Sequence, residues 1–335
     1  MNRIVVTRTK AAIARLRAYK PPPFPLWDKL PLSRRAAVLI LLYADRQGDL
    51  RVVLTMRAAS LRSFSGHAAF PGGKADSLEE TPYQIARREA WEEIGLPIDD
   101  SKIPKPFRIE HLCCLPHSLA KTELAVRPCV ALLHSGDDDE SDRPAAGPPA
   151  PTVDESLMPR LDAKEVAAVF SGPLHNFLLA EDEVVVPSDG DGDGDEARRR
   201  MRALLPGGKW YEGRWAEFHE APWRVHYFYV PVNHQRVTKP RVREGGLAAI
   251  AEQLEEEEEE GAGRYMVWGM TGRMLVDAAR VAYAREPEFE HNKHYGDEAL
   301  IERLAGAGRL GEKKRPAVAE LAQQEAKKAK EGSKM

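Results

Sequence analysis

The chain has 335 residues, a formal net charge of -3 and a sequence pI near 6.4, so no overall basic field would draw it to nucleic acid. Its three cysteines, Cys113, Cys114 and Cys129, show no C-x-x-C spacing, which argues against a disulfide framework or a zinc site and favours reduced, buried thiols inside a cell. No apolar run reaches the ~18 residues needed to span a bilayer, and no signal-peptide pattern opens the sequence.

The first part of the chain predicts one helix followed by strands. Residues 1–35 are basic and then proline-rich, which predicts a short helix and an extended lead-in. Apolar runs predict five strands, with a polar turn around Gly48 between the first two. These strands are expected at residues 36–43, 52–56, 67–70, 107–115 and 124–133.

A helix with strong end signals is predicted between the third and fourth strands. Thr81 is a good N-cap, Pro82 suits the first helical position, and Gly95 can adopt the left-handed conformation that ends a helix. An apolar stripe should hold this helix against a core. Its members are Tyr83, Ala86, Ala90 and Ile94.

Three carboxylates follow one another on a single face of this helix. Glu89 and Glu93 are four residues apart, and Glu89 and Glu92 are three apart, so their side chains are neighbours. Like charges at these spacings each cost a few tenths of a kcal/mol on an isolated helix. A divalent cation between them would offset that repulsion, and Mg²⁺ prefers one or two carboxylates together with waters and substrate phosphates.

The later part of the chain alternates predicted elements with polar segments. Asp-rich, Pro-rich, Gly-rich and Glu-rich stretches predict disordered insertions at about 136–152, 187–208 and 252–262. The Asp-Gly repeat at 189–194 is expected to be linker, because Arg200 stands where a calcium loop needs a bidentate Glu. A short helix capped by Asp162, a late strand and an amphipathic closing helix are also predicted. They span residues 163–170, 223–232 and 271–284.

The helix and the glycines before it resemble the box of the Nudix hydrolase family. That box reads Gly, five residues, Glu, seven residues, then Arg-Glu-apolar-any-Glu-Glu-any-Gly-apolar. Glu80, Arg88-Glu89 and Glu92-Glu93 fit it in register, with Ala90 as a small occupant of the apolar position. Six residues rather than five separate Gly73 from Glu80.

A second signature upstream resembles the coenzyme A diphosphatase branch of that family. The branch pattern is Leu-Leu-Thr-any-Arg-Ser/Ala, Arg, Gly, Phe-Pro-Gly-Gly. Residues 53–58 match it with Val53 in place of the first Leu, and Arg62, Gly66 and residues 70–73 complete it. The branch also tolerates the extra residue before Glu80. The resemblance covers roughly residues 36–285, with insertions, and is strongest to fungal peroxisomal members.

This resemblance implies a fold, a domain layout and a reaction. The fold would be α/β, an α/β/α sandwich with a mixed sheet. The Nudix domain would span 36–285, between a lead-in at 1–35 and a tail at 286–335. The reaction would be hydrolysis of the pyrophosphate bond of coenzyme A or acyl-coenzyme A, giving 3′,5′-ADP and 4′-phosphopantetheine or its acyl form.

The resemblance also assigns the candidate site residues. Mg²⁺ or Mn²⁺ would be held by Glu89 and Glu93, with Glu92 sharing the cluster. Arg57 and Arg62 would bind substrate phosphates, since coenzyme A carries a 3′-phosphate besides its pyrophosphate. Gly72 and Gly73 would let the backbone approach the site. The candidate catalytic residues are Glu80, Arg88, Glu92 and Glu165.

Several roles and functions stay open at this stage. Arg88 is expected to pair with Glu80 and orient the carboxylates, and a structural role for both is equally compatible with the sequence. The general base comes either from the box or from a separate loop, and Glu165 is a candidate base or further ligand. Rival functions are hydrolysis of another nucleoside diphosphate derivative, such as NADH or ADP-ribose, and a catalytically silent nucleotide-binding module.

The sequence ends on Ser333-Lys334-Met335, which is similar to the Ser-Lys-Leu peroxisomal signal. A basic, mobile tail beyond Glu312 would present these residues to an import receptor. The expected location is therefore the peroxisome, with the cytoplasm as the alternative.

Overall fold

A computed structural model describes most of the chain. The described residues are 3–58, 67–135, 166–182, 208–232, 235, 237–238 and 263–312. The predicted insertions lie outside these ranges, apart from residue 208, and so do Arg62, Glu165 and the tripeptide at 333–335.

Four α-helices and eleven strands are present in the described ranges. The helices are α1 (Arg3–Ala18), α2 (Pro82–Ile94), α3 (Gly269–Tyr283) and α4 (Glu298–Gly306). The strands are β1 (Arg35–Ala44), β2 (Leu50–Arg57), β3 (Ala68–Ala69), β4 (Gly72–Lys74), β5 (Phe107–Cys114), β6 (Ser118–Leu119), β7 (Ala125–Ser135), β8 (Val166–Pro173), β9 (Tyr211–Phe218), β10 (Ala221–Pro231) and β11 (Arg264–Trp268). The five early strands, the late strand and the closing helix are confirmed.

The strands form one mixed sheet and one small antiparallel sheet. The mixed sheet has the order β3-β2-β1-β7-β5, with β4 also paired to β1, β6 to β7 and β8 to β2. Strands β1 and β7 are parallel, and the other pairs of this sheet are antiparallel. Strands β9, β10 and β11 form the second sheet.

The central strand β1 is buried on both faces, which explains its almost continuous apolar sequence. Leu39 and Leu41 lie in the core cluster that includes residues of α2 and α4. Ile40 and Leu42 lie in the cluster that includes residues of α1, α3 and the small sheet. Helical layers therefore cover both faces of the mixed sheet, which confirms the predicted α/β/α sandwich.

The glycine-rich strand β4 is inserted where β1 and β2 separate. Strand β2 pairs with β1 from Leu42 onward, whereas β4 pairs with the beginning of β1, at Ala36–Val38. The amide of Leu39 donates a hydrogen bond of 2.8 Å to the carbonyl of Pro71. This pairing holds Gly72 and Gly73 in the sheet, next to helix α2.

Helix α2 begins and ends where its sequence predicts. The Thr81 side chain accepts a hydrogen bond from the Gln84 amide, and the Gln84 side chain accepts one from the Thr81 amide, forming a capping box. Pro82 occupies the first turn, and Gly95 has φ of 70° in the left-handed region. The helix face that carries Ala86 and Ala90 is fully buried.

One predicted element was wrong. The helix expected at 163–170 is instead strand β8, which pairs antiparallel with β2 from Val166 to Pro173. Its buried residues include Val166, Val169 and Phe170, and β-branched and aromatic side chains of this kind pack well on a sheet. Pairing with β2 also satisfies the backbone hydrogen bonds, a long-range gain that a local helix signal does not contain.

Segments on both sides of the predicted 36–285 domain pack against it. Ala12 and Leu16 of α1 are fully buried in the core beside α3. Ile301 of α4 is fully buried in the opposite core, and the Leu119 amide donates to the Asp297 carboxylate at 2.9 Å. The folded unit therefore includes α1 and the described residues after α3.

The described helices include none that is long and apolar enough to cross a bilayer. All three cysteines are free thiols, and the prediction that they are buried is wrong for Cys114. Cys113 and Cys129 are buried, whereas Cys114 is partly exposed.

Candidate active site

The last carboxylate of α2 lies directly beneath the glycine strand. Glu93 is 4% exposed, and its Oε2 accepts a hydrogen bond of 3.2 Å from the Gly72 amide. A buried carboxylate needs such donors, because burial without hydrogen bonds strongly disfavours its charge. The contact ties the acidic face of α2 to β4.

Gly73 lies against Glu89. A Cβ atom built at Gly73 would stand 2.4 Å from the carboxyl carbon of Glu89, well inside van der Waals contact. Glycine is therefore required for the carboxylate to lie this close to the strand. The two glycines thus each contact one of the two predicted metal ligands.

The Arg88 guanidinium donates hydrogen bonds to three carboxylates, two on α2 and one just before it. Its Nε donates to Glu80 at 2.8 Å. Its Nη1 donates to Glu89 Oε1 at 3.0 Å and to Glu92 Oε2 at 3.3 Å. Its Nη2 donates to the Lys74 carbonyl at 2.8 Å, which anchors it to β4. The expected contact between Arg88 and Glu80 is present, and their catalytic roles stay predictions.

Burial and the arginine act in opposite directions on the carboxylates. Burial raises the pKa of Glu89, and the Arg88 contact only partly offsets this while Glu92 adds repulsion. Burial also acts to raise the pKa of Glu80. The hydrogen bonds that Glu80 accepts from Arg88 and from the Asp76 amide outweigh this effect, so the pKa of Glu80 lies below its usual value. Glu80 is thus the more firmly ionised partner of Arg88.

The donor set fits a hard divalent cation. Carboxylate oxygens are the ligands that Mg²⁺ and Mn²⁺ prefer. Oxygens of Glu89 and Glu92 already converge on one cationic atom, Nη1 of Arg88, within 3.3 Å. Within the described ranges, no group of three His, Cys, Asp or Glu side chains is arranged as a complete metal cluster. In proteins generally, Mg²⁺ is bound by one or two carboxylates together with water and substrate oxygens.

The phosphate-binding candidates are only partly described. Arg57 ends strand β2, and its buried Nε atom has no hydrogen-bond partner in the described part of the protein. Arg62 and Glu165 lie outside the described residues, so their positions relative to the carboxylates stay predictions.

The sequence did not predict two further contacts of Arg88. One is the Lys74 carbonyl, because any residue supplies a carbonyl and only the fold brings this one close. The other is Asp76, whose carboxylate lies 3.5 Å from Nη1 of Arg88. Its proximity depends on the loop between β4 and α2.

Fold and site together define an α/β sandwich protein in which a carboxylate-bearing helix lies beside a glycine-rich strand. Residues 33–114, which contain both elements, match the family model described as NUDIX domain. Over these residues the chain is similar to the Nudix family.

Several curated proteins are similar to the chain. The chain is 34% identical over 228 residues to the Saccharomyces cerevisiae protein named peroxisomal coenzyme A diphosphatase 1. The aligned region covers 64% of this chain and 65% of the relative. It is 29% identical over 256 residues to Arabidopsis thaliana Nudix hydrolase 15, mitochondrial, covering 76% of this chain and 61% of the relative. The chain thus spans less than two thirds of the length of these relatives.

Among solved structures, a C. elegans Ap4A hydrolase binary complex is similar to part of the chain. The sequence identity is 19%, the match covers 42% of this chain and 80% of that chain, and the TM-score is 0.28. This likeness bears on neither substrate nor mechanism.

Proposed function

We propose that this protein hydrolyses the pyrophosphate bond of coenzyme A and acyl-coenzyme A, giving 3′,5′-ADP and 4′-phosphopantetheine or acyl-phosphopantetheine. The observation that carries the proposal is the 34% identity to the yeast protein named a coenzyme A diphosphatase. The carboxylate face of α2 and the Phe70-Pro71-Gly72-Gly73 segment support it, because they place acidic oxygens and close backbone together.

The proposed mechanism depends on charge neutralisation and positioning, as phosphoryl transfer does in general. Glu89 and Glu93, with Glu92 sharing the cluster, would hold Mg²⁺ or Mn²⁺, which would supply positive charge near the phosphate oxygens. Arg88 positions Glu89 and Glu92 through one nitrogen and is itself fixed by Glu80. Either a residue of α2 or one on a separate loop, with Glu165 as the candidate, acts as the general base.

A turnover assay with purified full-length protein tests the proposal. Coenzyme A, its acyl and disulfide forms, NADH and ADP-ribose are supplied separately with Mg²⁺ or Mn²⁺, and products are identified by mass. The coenzyme A species are expected to have the highest kcat/KM, with 3′,5′-ADP as a product. A preference for NADH or ADP-ribose would instead support the rival Nudix activity. Binding without turnover of any substrate would support the nucleotide-binding module.

Replacing Arg62 by Ala is expected to weaken binding of the 3′-phosphate. A charged hydrogen bond to phosphate contributes about 1.5–3 kcal/mol, so KM for coenzyme A should rise about tenfold or more. The matched substrate is dephospho-coenzyme A, which lacks only that phosphate and should show little change. Equal losses on both substrates would exclude this role, and Arg57→Ala provides the same comparison at the end of β2.

The two glycines of β4 should respond differently to Ala. In Gly73→Ala, the new Cβ meets only the end of the flexible Glu89 side chain, so the fold persists while the carboxylate is displaced. Turnover is expected to fall about a hundredfold, as small displacements in active sites do. In Gly72→Ala, the Cβ would lie 2.5 Å from the Ala37 carbonyl oxygen, so the backbones must separate.

Denaturant unfolding and turnover, measured on both glycine variants, check this pair. Gly72→Ala should lose about 1–3 kcal/mol of unfolding free energy through overpacking. Full activity in Gly73→Ala, or equal destabilisation in both variants, would contradict the assigned position of Glu89.

We further propose a peroxisomal location with import through Ser333, Lys334 and Met335. The yeast relative is named as peroxisomal, which supports this location, while two plant relatives are named mitochondrial and chloroplastic. Fluorescent fusions with and without the tripeptide provide the test. Punctate signal that becomes diffuse on deletion supports the proposal, and identical diffuse signal in both excludes it.

A further inference from the structure

Strands β5 and β7 place two cysteines directly opposite each other. Cys114 pairs with Cys129 in this antiparallel ladder, and their Sγ atoms are 3.6 Å apart. The next rung carries a hydrogen bond from the Leu115 amide to the Pro128 carbonyl, so the cysteine rung is a non-hydrogen-bonded pair. Side chains come closest at such rungs, within the range of Cβ separations that a disulfide requires.

Cys114 also contacts a histidine that is held in place. Nε2 of His111 lies 3.6 Å from Cys114 Sγ, and the His111 ring stacks on Tyr83 of α2 with centroids 4.1 Å apart. The hydrogen bond between the Cys114 and Cys129 thiols, followed by the His111 contact, lowers the pKa of Cys114 against the effect of burial. Burial raises the pKa of Cys129. One partly exposed, acidic thiol is therefore paired with one buried thiol.

Cys113 differs from Cys114 in the face of the sheet that it occupies and in the direction of its pKa shift. Successive residues of a strand point to opposite faces, and Cys113 packs in the core cluster on the other side of the sheet. Burial raises the pKa of Cys113 to about 12. It is therefore a natural internal control for Cys114.

We propose that Cys114 and Cys129 form a redox-active pair that hydroperoxides convert to a disulfide. The Cys114 thiolate attacks a peroxide oxygen and the O–O bond breaks, which leaves Cys114 as a sulfenic acid. The departing hydroxide takes up the proton released by Cys114 and becomes water. The Cys129 sulfur then attacks Cys114 Sγ, the S–O bond breaks, and the second hydroxide leaves as water with the Cys129 proton. Two thiols and one hydrogen peroxide thus give one disulfide and two waters.

This modification site lies beneath the acidic helix and does not depend on the proposed enzymatic function. Cys129 belongs to the same buried cluster as Ile85 and Ala90 of α2, and His111 contacts Tyr83 at the beginning of that helix. Carboxylates of α2 take no part in the thiol chemistry. The oxidation can therefore be followed by mass spectrometry, without an assay of enzymatic activity.

Single-cysteine removal gives a decisive test, because the chain contains three cysteines and each variant leaves only one possible pair. The test exposes four purified full-length proteins to hydrogen peroxide: wild type, Cys113→Ala, Cys114→Ala and Cys129→Ala. Each is then alkylated, and its mass is measured by mass spectrometry. Wild type and Cys113→Ala should lose about 2 Da and two alkylation sites, reversibly with dithiothreitol. The Cys129→Ala protein should instead be labelled at Cys114 by a sulfenic-acid reagent.

Several results would overturn the proposal. They are disulfide formation in Cys114→Ala, unchanged mass in wild type, and oxidation of Cys114 to the sulfonic acid while Cys129 stays free. The variant His111→Phe keeps a ring against Tyr83 but lacks Nε2, and it should slow disulfide formation near neutral pH about tenfold. An unchanged rate would show that His111 does not activate Cys114, contrary to the proposal. Circular dichroism verifies that each variant is folded.

Discussion

Replacing Glu93 by Gln should reduce kcat about a thousandfold or more while the protein stays folded. Gln keeps an oxygen that can accept the 3.2 Å hydrogen bond from the Gly72 amide, so the junction between α2 and β4 is preserved. It removes the negative charge of a proposed metal ligand, and each 1.36 kcal/mol of lost transition-state stabilisation lowers the rate tenfold. Steady-state turnover of coenzyme A and thermal unfolding are measured together.

Glu79 provides the matched control for this substitution. It lies just before α2 and is exposed to solvent, and Glu79→Gln should therefore retain near-normal turnover. Near-normal turnover of Glu93→Gln would refute the assignment of Glu93 as a metal ligand. Isothermal titration with Mn²⁺ adds a second measurement, since Glu93→Gln should weaken divalent-ion binding and Glu79→Gln should not.

Replacing Asp297 by Ala should destabilise the fold by about 3–5 kcal/mol, because it leaves a buried arginine without its counter-charge. Arg273 is fully buried in α3, and its Nη2 lies 3.0 Å from Oδ1 of Asp297, which is 3% exposed. The substitution also removes the acceptor for the Leu119 amide. Denaturant unfolding at constant m value measures the loss.

Two comparisons isolate the effect of burial. Arg285→Ala removes an ion pair with Glu288 whose partners are 48% and 42% exposed, and should cost less than about 1 kcal/mol. The double variant Arg273→Met, Asp297→Asn removes both buried charges but keeps an acceptor for the Leu119 amide, and should be less destabilised than Asp297→Ala. If Asp297→Ala lowers the free energy of unfolding by less than about 1 kcal/mol, the ion pair between Arg273 and Asp297 does not hold α3 against the C-terminal residues.

The region around α2 was predictable because its signals are local. Thr81, Pro82 and Gly95 act within one or two turns, and the spacing of Glu89 and Glu93 places them on one face of any helix that forms there. The alternation and apolar runs of the early strands likewise depend on near neighbours. These features could therefore be assigned from the sequence before any contact was known.

Elements that depend on distant partners were not predictable in the same way. Residues 163–170 carried a local helix signal, yet strand β8 formed because β2 offers a ladder of hydrogen bonds more than 100 positions earlier in the chain. The boundary predicted after residue 285 came from the extent of the family resemblance. Burial of Ile301 and the contact of Asp297 with Arg273 are long-range and became visible only in the fold.

The sequence by itself determined the ends of α2 and its acidic face, because helix periodicity and capping are encoded within a few residues. Its motifs also carried the resemblance that implied the fold. Only the tertiary structure decided which groups meet across the sheet. Strand register brought Cys114 to Cys129, the insertion of β4 brought Gly73 to Glu89 and the Lys74 carbonyl to Arg88, and chain return brought Asp297 to Arg273. Such contacts are fixed by the summed packing and hydrogen bonding of many distant residues, which no short sequence pattern records.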